Sequence, residues 1–129
     1  MQTVKKRIII ISADDAAVEA VLNDSAIADL LSDSLPLSGN VNTWGEEIYF
    51  TVPVKAELQK PVESVEKGDI AYWGQGPAFC IFFGETPISS GGKIIPAGPV
   101  EVIGRVSSGI EALAEIRAGS GITVENKGE

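Results

Sequence analysis

Residues 68–87 read GDIAYWGQGPAFCIFFGETP, and no other stretch constrains the fold so tightly. The pattern is that of a β-hairpin: an apolar run over 69–73, a turn at Gly74-Gln75-Gly76-Pro77, and a second apolar run over 78–83. Five of the chain's eight aromatic residues lie in it: Tyr72, Trp73, Phe79, Phe82 and Phe83. Aromatic side chains carry the largest apolar payload per residue, so a core is expected to form around this hairpin.

The remaining segments read mostly as further strands. Residues 3–11 are rich in β-branched side chains, and Ile8-Ile9-Ile10-Ile11 is apolar on both faces. A turn at Ala13-Asp14-Asp15 leads to an alternating run over 17–22, its hairpin partner. Asn23-Asp24-Ser25 offers helix caps, and Ile27, Leu30 and Leu31 recur at i, i+3, i+4, which predicts a short amphipathic helix stopped by Pro36. Residues 37–43, rich in Ser, Gly and Asn, read as a loop. WGEEIYFTV at 44–52 alternates, with Glu46, Ile48 and Phe50 on one face and Glu47, Tyr49 and Thr51 on the other. Residues 54–58, bracketed by Pro53 and Pro61, read as an extended piece at a sheet edge. Residues 84–99 form a long Pro- and Gly-containing loop of the kind that is often functional or mobile. A strand at 100–106 is followed by Ser108-x-x-Glu111, a capping box that predicts a second helix with Ile110, Leu113 and Ala114 buried and Gly119 at its end. A last strand covers 122–125. Seven or eight short strands and two short helices favour a mainly β protein, a closed barrel with helices plugging its ends.

Length and charge narrow the rest. At 129 residues the chain is expected to form a single domain over 1–129, able to bury roughly two thirds of its unfolded surface. Its formal net charge of −8 disfavours nucleic acid and anionic membrane as partners. The only basic run, Lys5-Lys6-Arg7, reads as a solvated strand edge. One cysteine, Cys80, allows no intrachain disulfide, which suits a cytoplasmic setting. No apolar stretch approaches the ~20 residues of a membrane helix.

Four segments carry a resemblance. WGEEIYFTVPV at 44–54, GDIAYW at 68–73, AFCIFFGETP at 78–87 and VIGRV at 102–106 resemble the cyclophilin-like family of uncharacterised bacterial and archaeal proteins, first filed as a domain of unknown function. The likeness runs from Asn23-Asp24-Ser25 to the last strand. It implies a closed eight-stranded cyclophilin-like barrel with two short helices, similar in shape to the peptidyl-prolyl isomerases called cyclophilins. Related barrels also form parts of amide-cleaving enzymes such as allophanate hydrolase. It does not imply isomerase activity, because a fold is shared among functions. True cyclophilins line their proline groove with an arginine, a histidine, a glutamine and aromatics. This chain has no histidine, and Arg7, Arg105 and Arg117 match no cyclophilin motif.

The absence of histidine also excludes Ser-His-Asp and Cys-His catalysis. No catalytic residue is assigned, and whether the chain is an enzyme stays open. Cys80, in an apolar strand, reads as an inert core thiol. No metal site and no cofactor are expected: imidazole is missing, and the carboxylate pairs Glu46-Glu47 and Asp14-Asp15 read as solvated surface. The candidate ligand-binding residues are Trp44, Glu47, Tyr49, Trp73 and Arg105. If Ile48, Phe50, Ile70 and Tyr72 face the interior, Glu47, Tyr49 and Trp73 face outward and form an aromatic groove with polar handles. The alternative is that the helices and the long loop cover these rings as a second core layer. The leading expectation is a module binding a peptide segment or a small organic ligand. A divergent prolyl isomerase relying on Arg105 and a non-catalytic subunit of a larger enzyme are the alternatives, and a homodimer is left open.

Overall fold

The computed structural model describes residues 7–128. Nine antiparallel strands form one nearly closed barrel: β1 (Arg7–Ala13), β2 (Ala16–Leu22), β3 (Leu37–Asn40), β4 (Asn42–Thr43), β5 (Glu47–Thr51), β6 (Asp69–Trp73), β7 (Ala78–Phe82), β8 (Glu101–Ser108) and β9 (Gly121–Gly128). Helix α1 (Ala26–Asp33) and a 3-10 helix (Ile110–Glu115) complete it. The strand order is β3-β9-β1-β2-β8-β6-β7-β5-β4. The mainly β barrel expected from the sequence is therefore present, with the count at nine rather than eight.

The extra strand comes from the run expected to be a loop. Residues 37–43 carry the seam: β3 pairs with β9, β4 pairs with β5, and Val41 joins the two. The Val41 amide donates to the Ser120 carbonyl at 2.8 Å and its carbonyl accepts from Gly119 at 2.7 Å. Taken as one bent strand, 37–43 restores eight. Ser, Gly and Asn lower strand propensity, but pairing on two sides overrides a weak local preference.

The interior is filled by alternate residues: Ile9 and Ile11 of β1, Val18 and Ala20 of β2, Ile48 and Phe50 of β5, Ile70 and Tyr72 of β6, Phe79 and Ile81 of β7, Ile103 of β8, Ile122 and Val124 of β9. The predicted hairpin is there, Tyr72 opposite Phe79 and Ile70 opposite Ile81. Its outer face is buried too. Ala71, Ala78, Cys80 and Phe82 form a second apolar cluster with Val65 and Val100, and Tyr49 and Trp73 pack against it. Burial on both faces explains why 78–83 reads as continuous apolar sequence rather than alternation.

Other expectations shift by one physical step each. Residues 3–6 of the first predicted strand lie outside the described residues; the rest continues to Ala13. In α1, Ser25 caps the N-terminus as expected, its hydroxyl accepting from the Ala28 amide, but the buried side is Ile27, Ala28 and Leu31, and Leu30 is exposed. The second helix is a 3-10 helix with no side-chain cap; Ser108 ends β8, and Gly109 turns the chain at φ +84°. Three residues per turn put Ile110, Leu113 and Ile116 on one side, so Ala114 is exposed rather than buried. Gly119 supplies the Val41 contact instead of a helix end. Residues 54–58 form no strand. The Tyr72 hydroxyl holds them, donating to the Val54 carbonyl at 2.7 Å and accepting from the Ala56 amide at 3.0 Å.

Tyr72 is fully buried, so Tyr72→Phe leaves two backbone groups without a partner. The variant is expected to lose about 1–3 kcal/mol of unfolding free energy. An unchanged urea midpoint would show that water replaces the hydroxyl at no net loss.

Candidate functional site

The outward face of β5, β7 and β6 frames a cavity of about 280 Å³. Its wall is Trp44, Glu47, Tyr49, Trp73, Cys80, Pro96, Ala97 and Val100. The strand register brings the middle of this set together. Glu47 and Tyr49 are on the same face of β5, and Cys80 on β7 lies directly opposite Tyr49. Trp73 ends β6 opposite Ala78.

Trp44 is placed by a turn, not by a strand. The predicted strand over 44–52 begins only at Glu47, because Trp44-Gly45-Glu46-Glu47 folds back on itself: the Trp44 amide donates to the Glu47 carbonyl at 3.0 Å and the Glu47 amide to the Trp44 carbonyl at 3.2 Å. Glu46 therefore sits exposed in the turn rather than facing inward. Gly45 is needed there twice over. Its φ is +62°, and a Cβ would stand 2.8 Å from the Glu85 carbonyl oxygen.

The remaining wall comes from the long loop, which covers the outward rings in part and leaves the cavity between. The loop is tied to itself. Ser89 Oγ accepts from the Thr86 and Ile95 amides at 2.9 and 3.1 Å, and the buried Thr86 hydroxyl donates to the Ile95 carbonyl. The Val65 amide bonds the Ile94 carbonyl at 3.0 Å, anchoring the loop before Pro96 and Ala97. Beneath it, the Trp73 Nε1–H is buried without an acceptor, and a Cβ on Gly98 would stand 3.4 Å from it. Trp73 thus serves the cavity with its ring, not as an exposed donor.

The electrostatics are those of a lone carboxyl in an apolar wall. Glu47 is 5% exposed, and burial pushes its carboxyl up from the ordinary 4.5 to about 7, against a smaller downward pull from a hydrogen bond with the Cys80 thiol. Burial, then the nearby Glu47 charge and hydrogen bond, push the Cys80 thiol well above its usual range. A thiol so held is protonated at neutral pH and is a poor nucleophile. No lysine or arginine lines the cavity.

Four of the five candidate residues, Trp44, Glu47, Tyr49 and Trp73, meet at this cavity, and Arg105 does not. Arg105 lies opposite Asp69 across β8 and β6. Its guanidinium donates to Asp69 Oδ1 at 2.9 Å and to the Lys67 carbonyl at 3.1 Å. It lies near Lys67, Gly68 and Ile110, in a separate depression. Sequence reasoning passed over four wall residues. Cys80 sits in an all-apolar run whose phase cannot be read alone, and Pro96, Ala97 and Val100 carried no signal of their own. Among the described residues, no group of three or more His, Cys, Asp or Glu side chains could hold a metal ion, and no helix is long and apolar enough to cross a membrane.

Comparison with known proteins agrees with the barrel. The family model described as Cyclophilin-like matches residues 6–125. The chain is similar to a hypothetical protein from Archaeoglobus fulgidus known from a solution structure, with 37% sequence identity and a TM-score of 0.79, covering 93% of this chain and 94% of that one. No curated protein matches it.

Proposed function

The chain belongs to the cyclophilin-like family, and we propose that it is a binding module whose cavity takes a small organic ligand or the end of a larger one. The observation that carries this reading is the convergence of Trp44, Tyr49 and Trp73 with the single carboxyl of Glu47 on one cavity. Apolar walls with a few placed polar groups are the usual composition of a ligand site. A volume of about 280 Å³ lies just below the usual range of such sites (roughly 300–1,000 Å³), which favours a small molecule over an extended peptide segment.

Less supports the two alternatives. A prolyl isomerase needs a donor on the prolyl amide, and Arg105, the candidate read from the sequence, is engaged with Asp69 away from the aromatic wall. A subunit of a larger enzyme would call for a continuous apolar face; the large apolar side chains exposed among the described residues are Leu30 and Ile88.

Protein-observed NMR titration against a library of metabolites and proline peptides tests the proposal. Localised, saturable shifts at Trp44, Glu47, Tyr49 and Trp73 are expected with a subset of the small molecules. A library that moves none of these resonances counts against the site.

A further inference from the structure

We propose that the cavity receives an organic cation, an alkylated ammonium head, with its charge against the Glu47 carboxylate and its alkyl groups against Trp44, Tyr49 and Trp73. This rests on the small-ligand reading above and narrows it to one chemical class.

Three observations lead there. First, the wall contains one carboxyl and no basic side chain: Glu47 lines the cavity without a lysine or arginine among the lining residues. Without a positive charge beside it, the Glu47 carboxyl meets the cost of burial by holding its proton up to about 7, and a ligand cation would take that proton's place. Second, three of the chain's eight aromatic residues belong to this wall. Their ring faces carry negative quadrupole potential, which attracts cations and repels anions. Third, the rest of the wall is Cys80, Pro96, Ala97 and Val100, which suits alkyl groups. A primary ammonium brings three N–H donors and little carbon into a wall that is mostly apolar. An alkylated head has fewer donors to satisfy and more carbon to bury. The chain's net charge of −8 acts in the same direction by drawing cations to the surface.

Choline and its uncharged isostere, in which a quaternary carbon replaces the nitrogen, separate charge from shape. Both are titrated into the protein at about pH 8, where Glu47 is ionised, and followed by calorimetry and by the indole N–H resonances. Choline is expected to bind saturably and to shift Trp44 and Trp73, with the isostere at least ~10-fold weaker. Glu47→Gln, nearly identical in shape, is expected to weaken choline at least ~10-fold and leave the isostere unchanged. Trp44→Leu, in the half-buried turn, is expected to weaken choline as well. Equal binding of choline and isostere, or choline binding that ignores Glu47→Gln, overturns the cation while leaving an apolar ligand site in place. Silence from both probes also overturns the cation; the wider reading then stands or falls on the library titration.

Discussion

The stability of the protein is expected to fall as pH rises from about 4.5 to about 7, and Glu47→Gln is expected to remove that fall. In the unfolded chain the Glu47 carboxyl titrates near 4.5, and in the folded barrel it holds its proton to about 7. Between those values the folded state binds more protons, so each rise in pH favours the unfolded chain. The contribution is full below the lower value, declines through the interval and levels off above it. At about 1.4 kcal/mol per pH unit the whole decline is on the order of 3 kcal/mol, reduced by whatever solvent enters the cavity. The chain has no histidine, so no imidazole obscures the interval. The titratable groups that share the cavity are Tyr49 on β5 and Cys80 on β7, and the Cys80 thiol stays protonated throughout. Asp14 acts elsewhere and in the opposite sense: the Ser120 hydroxyl and the Arg117 amide lower it from 3.8, so its effect lies at more acid pH. Urea midpoints of both proteins from about pH 4 to about pH 8 decide the matter. Parallel curves would mean that Glu47 ionises as freely folded as unfolded.

Phe79→Ala is expected to be the more damaging change, lowering unfolding free energy by about 3–5 kcal/mol. Phe79 is 1% exposed in the barrel interior, with its ring centroid 5.5 Å from that of Phe50. It lies across from Phe50 on β5 and Tyr72 on β6, so truncation empties the middle of three strands at once. Domains of this size are stable by only ~5–15 kcal/mol, and such a loss leaves some of them partly unfolded. Ile88→Ala, at a half-exposed loop position, serves as the control and should shift stability by no more than ~0.5 kcal/mol. A Phe79→Ala midpoint within that same margin would mean the interior collapses around the missing ring.

The sequence was legible where one local rule acted alone. Period-two alternation placed Ile48 and Phe50 inside and Glu47 and Tyr49 outside, and the register of β5 and β7 follows that split. The turn at 74–77 sits between the strands it was expected to join. Legibility failed where distant segments decide the outcome. Nothing within 37–43 says that β9 waits on one side and β5 on the other. Nothing at Pro96 or Ala97 says that they return to a wall begun at Trp44. Arg105 illustrates the limit: it was grouped with the aromatic wall, but its place along the strand puts it elsewhere. Trp73 and Asp69 both point outward from β6 four residues apart, and Arg105 meets the Asp69 end.

The hydroxyl clasp of Thr86 and Ser89 has a bearing on how such proteins diversify. It closes a segment that contributes no strand to the cylinder yet forms one side of the chamber. Exchanges at Pro96 and Ala97 can therefore reshape that side of the chamber while strand pairing stays as it is. One side of the chamber is thus written in a stretch that builds no strand, and the other in β5, β6 and β7 themselves.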